Sequence, residues 1–257
     1  MDLDNRRALV TGAGRGIGRA VALALGRAGA AVAVSARTQA DVDSCAAEVR
    51  AAGGRAMALS ADVSRVDDVQ ALFQRARAEL GGVDILVNGA GIAVSAQVHR
   101  TSDEEWRAVL ETNLSGTFYA MREALPEMMQ AGWGRVINMA SIAGKTGYPY
   151  IGAYAATKHG VLGLTRCAAL EGAAQGVTVN AVCPGYVDTP MTDAAIANVV
   201  AKTKLDEAAA RRHLEETSPQ KRMVTVEEVA ALTLFLCSEE ARGINGQALG
   251  IDGGTVV

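Results

Sequence analysis

The sequence predicts an α/β fold in which helices cover both faces of a parallel β-sheet. Three observations predict it. Short apolar runs alternate with longer stretches of helical periodicity along the chain. These runs are continuously apolar, as in strands that are covered on both faces, and do not alternate apolar with polar residues. Hydrophobic residues make up 49% of the 257 residues and charged residues 21%, so the chain can bury a sizeable core.

The individual elements follow from the same pattern. Strands are predicted at the short apolar runs, residues 8–11, 31–35, 56–60, 84–88, 136–139, 177–182 and 248–251. Helices are predicted where apolar residues recur at helical spacing, over residues 16–28, 40–52, 66–80, 103–131, 154–175 and 226–236. Because no Pro/Gly/Ser-rich linker, charge block or internal repeat divides the chain, residues 1–257 are predicted to form a single domain.

Residues 188–222 interrupt this alternation. They are polar and helical in pattern, and they lie between the last two predicted strands. An insertion there enters at the carboxyl ends of the strands, where open α/β sheets bind their ligands. We therefore predict that this segment is a lid over the substrate.

Composition excludes several classes of function. With 25 basic and 28 acidic residues the formal net charge is −3, which argues against nucleic-acid and anionic-membrane partners. The 4 cysteines lie far apart, with no Cys-x-x-Cys pair and no interleaved histidines, so neither a metal site nor a disulfide framework is expected. No stretch approaches the ~20 apolar residues of a membrane span, and no secretory signal is apparent. A cytoplasmic protein is expected.

A glycine-rich turn follows the first predicted strand. Gly12, Gly16 and Gly18 stand between that strand and the first predicted helix, in the pattern G-x-x-x-G-x-G. The common G-x-G-x-x-G pattern is not met, because Ile17 occupies the position of its last glycine. Such a turn lets backbone N–H groups and a helix N-terminus approach a pyrophosphate. Its strand–turn–helix context favours dinucleotide binding over the alternative, a merely flexible turn.

The choice of cofactor is expected at the end of the second strand. An acid there would bond the ribose 2′-hydroxyl of NAD, but the nearest carboxylate is Asp41. Arg37, together with Arg15 in the glycine turn, can instead bind a 2′-phosphate through charge-assisted hydrogen bonds. NADP(H) is therefore favoured, with NAD(H) possible; the alternative is that both arginines are simply solvated.

Three side chains suggest carbonyl chemistry. Tyr154 and Lys158 are four residues apart in a helical pattern and share one helix face. A tyrosine with the ordinary pKa near ~10 is a poor acid–base group at neutral pH, and a nearby ammonium favours its phenolate. Ser141 follows the fifth strand and can hold a carbonyl oxygen by a hydrogen bond. Alone, a Tyr-x-x-x-Lys pair indicates no more than a solvated helix face.

With further motifs, the sequence resembles the short-chain dehydrogenase/reductase family over essentially its whole length. The matching features are Thr11-Gly12-x-x-x-Gly16-x-Gly18, Asp62-Val63, Asn88-x-Ala90-Gly91, Asn113, Ser141, Tyr154-x-x-x-Lys158, Pro184-Gly185 and Asp252-Gly253-Gly254. The resemblance implies a doubly wound, Rossmann-like domain with a seven-stranded parallel sheet, assembled as a homotetramer.

The resemblance also implies roles for four catalytic residues. Tyr154 is expected as the general acid/base, and Lys158 is expected to lower its pKa and bind the nicotinamide ribose. Ser141 is expected to orient the substrate. Asn113 is expected to hold a water that links Lys158 to solvent; without the family, it reads as a polar helix residue.

The cofactor residues extend along much of the chain. The residues expected to bind the cofactor are Gly12, Arg15, Gly16, Ile17, Gly18, Arg37, Asp62, Val63, Asn88, Ala90, Gly91, Tyr154, Lys158, Pro184, Gly185, Val187 and Thr189. Asp62 is expected to bond the adenine amino group, although its carboxylate would also suit the cap of the following helix. The family usually has Asn-Asn-Ala-Gly after the fourth strand, and Gly89 replaces the second asparagine here. A local loss of stability without loss of activity is expected.

The substrate is less sharply indicated. Two segments, residues 154–160 and 180–191, resemble those of 3-oxoacyl-thioester reductases, including polyketide ketoreductases. The resemblance predicts an NADP(H)-dependent reductase. Its substrate would be a 3-oxoacyl thioester carried by acyl-carrier protein or by CoA. A secondary alcohol dehydrogenase using NAD, acting on 3-hydroxybutyrate or a hydroxyacyl-CoA, is the alternative. A non-catalytic cofactor sensor is a remote one. The predicted lid carries several basic side chains, which could bind the phosphate groups of a CoA or phosphopantetheine arm. The alternative is that they are simply the solvated face of an amphipathic lid. These residues are Lys202, Lys204, Arg211, Arg212, Lys221 and Arg222.

Overall fold

The fold is built on a parallel sheet, as predicted. The computed structural model describes residues 2–256. Its strands are β1 (Arg7–Thr11), β2 (Ala31–Ala36), β3 (Arg55–Ser60), β4 (Ile85–Asn88), β5 (Gly134–Met139), β6 (Val177–Pro184) and β7 (Ala248–Ile251). They form a 7-stranded sheet in the order β3-β2-β1-β4-β5-β6-β7, with every neighbouring pair parallel. Because the winding reverses between β1 and β4, a crevice forms at their carboxyl ends. The predicted fold class is confirmed.

The helices follow the predicted positions with one clear difference. They are α1 (Gly16–Arg27), α2 (Gln39–Ala51), α3 (Val66–Leu80), α4 (Asp103–Leu110), α5 (Gly116–Ala131), α6 (Gly152–Gly172), α7 (Pro190–Lys202), α8 (Glu207–Glu216) and α9 (Val226–Leu236). The helix predicted over residues 103–131 is confirmed as one continuous helical stretch, but a π-helical turn, Glu111–Ser115, lies within it and joins α4 to α5. Of the helices within residues 2–256, none has both the length and the apolar character for crossing a membrane.

Two apolar cores sandwich the sheet. In β1, Val10 packs in a cluster with side chains of α1, α2 and α9. Its neighbour Leu9 points to the other face and packs with side chains of α3, α5 and α6. Both residues have an exposed fraction of 0%. Burial on both faces explains why the strand sequences are continuously apolar.

Candidate active site

A cleft of about 400 Å³ lies at the carboxyl ends of the strands, where the winding reverses. Most of the predicted cofactor residues line it: Gly12, Arg15, Gly16, Ile17, Gly18, Arg37, Asp62, Val63, Ala90, Gly91 and Thr189. Within residues 2–256, its lining does not include the other predicted ones: Asn88, Tyr154, Lys158, Pro184, Gly185 and Val187. It does include residues that the sequence analysis did not single out for the cofactor, among them Gly14, Thr38, Asp41, Ile92, Thr112 and Met191.

The glycine turn brings two strand ends into contact beneath the cleft. Gly12 has a φ of +67°, and a methyl group placed on it would come within 2.6 Å of the backbone nitrogen of Ala90. Only glycine combines this conformation with so close an approach. The turn leads directly into the N-terminus of α1, whose free N–H groups favour an anion such as a pyrophosphate. The residues present therefore fit a dinucleotide.

Arg15 and Arg37 supply positive charge to one part of the cleft. Both side chains are exposed along its lining. Within residues 2–256, neither arginine forms an ion pair with a carboxylate. They are thus available to an anionic group of a ligand, and guanidinium groups suit phosphate oxygens.

Asp62 does not cap the helix that follows it. Its Oδ1 accepts hydrogen bonds from the backbone nitrogen of Ser64, at 3.0 Å, and from the Ser64 hydroxyl, at 2.8 Å. The N-cap residue of α3 is Arg65, and its side chain makes no capping bond. Asp62 therefore closes a tight turn at the cleft wall. Within the described chain, no protein group hydrogen-bonds to its Oδ2, so that oxygen is free for a ligand.

The predicted catalytic side chains lie close together. Tyr154 and Lys158 are one turn apart on α6, and the Lys158 Nζ lies 5.4 Å from the centre of the Tyr154 ring. Lys158 has an exposed fraction of 5%, and its Nζ donates a hydrogen bond to the carbonyl oxygen of Met139, at 2.6 Å. Ser141, just beyond β5, caps a short turn by accepting from the Ala143 nitrogen at 3.1 Å. The end of β5 and the first turns of α6 thus build the candidate catalytic centre.

Burial shifts the pKa values of the tyrosine and the lysine in opposite directions. Burial raises the pKa of Tyr154 to about 12, although hydrogen bonding with Ser141 opposes the rise. Burial also lowers the pKa of Lys158 to about 8. Desolvation of the phenolate is thus the largest influence on the pKa of Tyr154 in the protein alone.

Asn113 is a buried connector. It lies in the π-helical turn with an exposed fraction of 1%. Its Oδ1 accepts from the nitrogen of Ile92 and its Nδ2 donates to the carbonyl oxygen of Ile92, both at 2.9 Å. The Nδ2 also donates to the hydroxyl of Thr157, at 3.2 Å. The side chain thereby joins the cleft wall to α6, which a merely polar helix residue would not do.

Asn88 braces the sheet and is turned away from the cleft. Its Nδ2 donates to the Oδ1 of Asn138 on β5, at 2.8 Å, and the Nδ2 of Asn138 donates to the hydroxyl of Thr165 on α6, at 2.9 Å. Bracing between β4 and β5 is thus present although Gly89 replaces the second asparagine of the family pattern. A methyl group on Gly89 would come within 2.7 Å of the carbonyl oxygen of Thr11. The backbone of Thr11 therefore packs too closely against Gly89 to leave room for a side chain.

The predicted lid, residues 188–222, consists mainly of α7 and α8. Met191 at the start of α7 lines the cleft, and the Lys202 Nζ at the end of α7 donates to the carbonyl oxygen of Ser95, at 3.3 Å. Arg211 forms an ion pair with Asp188 at 2.8 Å, and Arg222 forms one with Glu228 at 2.7 Å. Since acids already neutralise two of its cations, the lid offers a phosphate group less positive charge than the sequence suggests.

Comparisons with known proteins agree on one family. Residues 6–199 match the family described as short chain dehydrogenase. The chain is 40% identical over 257 residues to the D-beta-hydroxybutyrate dehydrogenase of Cupriavidus necator, covering 99% of both chains. It is 38% identical over 251 residues to the 3-oxoacyl-[acyl-carrier-protein] reductase FabG of Staphylococcus epidermidis, covering 97% of this chain and 98% of that one.

A solved structure has the same fold. The crystal structure of a point variant of actinorhodin polyketide ketoreductase with NADPH superimposes with a TM-score of 0.95. The two sequences are 37% identical, and the match covers 97% of each chain. The similarity therefore extends over nearly the whole of both proteins.

Proposed function

The chain belongs to the short-chain dehydrogenase family, and we propose that it is an NADP(H)-dependent reductase that converts a 3-oxoacyl thioester into the secondary alcohol. Membership makes it an oxidoreductase that acts on a small molecule. The observation that carries the proposal is the grouping of Tyr154 with Lys158 and Ser141 beside a cleft that fits a dinucleotide.

Tyr154 is proposed as the proton donor. Its phenol carries the proton that the oxygen of a reduced ketone needs. Because burial raises its pKa to about 12, a nearby positive charge is needed to bring that pKa toward neutral pH. The Ser141 hydroxyl would hold the same oxygen by a hydrogen bond. The Lys158 Nζ is fixed by Met139 next to the ring, where its positive charge favours loss of the phenolic proton. The bound cofactor supplies the hydride.

The preference for NADP(H) is proposed from the charge of the cleft. Arg15 and Arg37 lie along its lining, and neither has a carboxylate partner within residues 2–256. A 2′-phosphate would satisfy both with charge-assisted hydrogen bonds. The similar polyketide ketoreductase was solved with NADPH, which supports the same choice here.

A second candidate is an NAD-dependent dehydrogenase of a 3-hydroxy acid. The 40% identity to the D-beta-hydroxybutyrate dehydrogenase of Cupriavidus necator favours it. The reductase is preferred because of the two arginines and because two similar proteins, named FabG and polyketide ketoreductase, are reductases. A non-catalytic sensor does not need an acid–base group, so the grouping of Tyr154, Lys158 and Ser141 favours an enzyme.

An assay of both directions tests the proposal. Acetoacetyl-CoA and an acetoacetyl acyl-carrier protein are offered with NADPH or NADH, and 3-hydroxybutyrate is offered with NAD⁺ or NADP⁺. The Tyr154→Phe variant is assayed in parallel as the control for cofactor consumption that does not depend on the proposed proton donor. We expect oxidation of NADPH by at least one thioester. Turnover confined to 3-hydroxybutyrate with NAD⁺ would establish the second candidate, and binding of NADPH without any turnover would establish the sensor.

Assembly as a cytoplasmic homotetramer is part of the same proposal. Phe118 on α5 and Leu170 on α6 are large apolar side chains with exposed fractions of 43% and 81%. Apolar side chains exposed on neighbouring helices favour contact between copies of the chain. Sedimentation equilibrium of the purified protein measures the subunit number directly, and a monomer at micromolar concentration would contradict the assembly.

A further inference from the structure

We propose that Asp41 is a specificity-determining residue whose carboxylate weakens the preference of the cleft for a 2′-phosphate and lets NAD(H) bind as well. The inference rests on the proposed function, because it assumes that the adenosine ribose lies beside Arg15 and Arg37. It concerns the degree of selectivity between the two cofactors.

Asp41 reaches the cleft from the first turn of α2. It is partly exposed and lies along the cleft lining together with Arg37 and Thr38. It also packs against the glycine turn, since a methyl group placed on Gly14 would come within 2.8 Å of the Asp41 β-carbon. Asp41 therefore shares the cleft lining with both arginines and lies against the turn that carries Arg15.

A network around Arg19 fixes this position. The guanidinium of Arg19 on α1 donates to the carbonyl oxygen of Gly14, at 3.2 Å, and to the Ser44 hydroxyl on α2, at 3.0 Å. It also binds both carboxylate oxygens of Glu48 on α2, at 2.9 and 2.5 Å. Arg19 thus links the glycine turn to α2 and holds the start of α2, with Asp41, against that turn.

The Asp41 carboxylate has no ion-pair partner in the part of the chain that the structure describes. Arg19, the cation whose pKa it helps to raise, is already bound by Glu48. Two guanidinium groups and one carboxylate leave a single excess positive charge to face a phosphate that carries up to two negative charges. The same carboxylate can accept a hydrogen bond from a free ribose 2′-hydroxyl, as the acid of NAD-binding sites does.

Binding of adenosine bisphosphate tests the inference without turnover. We compare the Kd of adenosine 2′,5′-bisphosphate with that of AMP by isothermal titration calorimetry, for the wild type, Asp41→Asn and the control Asp43→Asn. Asp43 lies on the same helix, is exposed and accepts a hydrogen bond from Gln39 at 2.9 Å. Removal of one like charge from the cleft is expected to raise the preference for the bisphosphate about 3- to 10-fold, and less at high salt.

The control separates a specific effect from a general change in charge or helix stability. The inference is supported if Asp41→Asn raises the ratio of the two Kd values and Asp43→Asn leaves it unchanged. It is overturned if the ratio stays the same in Asp41→Asn, or if both variants shift it equally. A wild type that binds AMP as tightly as the bisphosphate would count against the NADP(H) preference under the proposed function, and the effect of Asp41→Asn on the ratio would still decide the role of Asp41.

Discussion

Asn113 and Ile92 hydrogen-bond to each other twice, with the Asn113 amide accepting from the Ile92 nitrogen and donating to the Ile92 oxygen, both at 2.9 Å. Ile92 is part of the cleft wall. The third bond of Asn113, to Thr157, reaches the helix that carries Tyr154 and Lys158. One buried amide thus ties the π-helical turn, the cleft wall and the catalytic helix into a single rigid unit. π-Helical turns are frequent at functional sites.

Asn113→Asp is expected to loosen this unit. The carboxylate can still accept from the Ile92 nitrogen, but it cannot donate, so one of its oxygens faces the Ile92 carbonyl oxygen. A buried polar group left without a partner costs about 1–3 kcal/mol. We expect urea denaturation to show a loss of that order, together with a lower kcat. The control is Asn198→Asp on the exposed face of α7, and equal losses in both variants would contradict the connecting role.

Tyr154→Phe is expected to remove turnover and to leave cofactor binding nearly intact. The substitution deletes the phenolic proton and little else, and a positioned general acid contributes on the order of 100- to 10,000-fold in rate. Initial rates and a fluorescence titration with NADPH measure the two effects separately. Tyr186→Phe, on a tyrosine with an exposed fraction of 41%, is the control. Normal turnover in Tyr154→Phe would refute the assignment of this residue.

The positions of the strands and much of the cleft could be anticipated from local sequence. Continuous apolar runs mark strands that are covered on both faces, and the turn at Gly12 marks the strand end that a dinucleotide approaches. These signals lie within a few residues of one another. They therefore need no knowledge of how distant segments pack.

Features that depend on distant contacts could not be anticipated. The π-helical turn between α4 and α5 is hidden because residues 103–131 keep a helical pattern. The bonds of Asn113 to Ile92, 21 positions earlier in the chain, hold that turn. The approach of Asp41 to Gly14 likewise depends on how α2 packs against α1. The pKa of Tyr154 follows from burial, which motif spacing does not reveal.

Lys158 is expected to make the fold more stable as pH rises above about 8. Its pKa is 10.5 in the ordinary state and about 8 in the folded protein, so between these values the unfolded chain binds more protons. The contribution of Lys158 to the free energy of unfolding therefore increases with pH in this interval. Tyr154 acts in the opposite direction from its ordinary pKa of 10.0 up to about 12, because there the folded state keeps the proton longer.

Urea denaturation at several pH values from about 7.5 to 9.5 measures this contribution as the difference in slope between the wild type and Lys158→Met. The difference is needed because burial raises the pKa values of Cys45, Cys183 and Cys237, and these thiols lower the free energy of unfolding with pH in both proteins. Lys158→Met removes the titrating amine and is expected to make the slope less positive than in the wild type. Lys204→Met, at an exposed position on the predicted lid, is the control and is expected to keep the wild-type slope. The same slope in Lys158→Met and the wild type would show that this lysine titrates normally.

Arg37→Asp is expected to turn the cofactor preference toward NAD(H). The substitution removes a guanidinium from the cleft and places a second carboxylate near Asp41, where it can accept from a ribose 2′-hydroxyl and repel a 2′-phosphate. One lost charge-assisted contact is worth ~1.5–3 kcal/mol, and each ~1.36 kcal/mol is a factor of ten. The NADP(H)/NAD(H) ratio of kcat/KM should therefore fall at least ~10-fold, measured for both cofactors at one ionic strength.

Arg27→Asp, at the exposed end of α1, makes the same charge change outside the cleft and should leave the ratio unchanged. An unchanged ratio in Arg37→Asp, or a wild type that already prefers NAD(H), would show that Arg37 does not bind the phosphate.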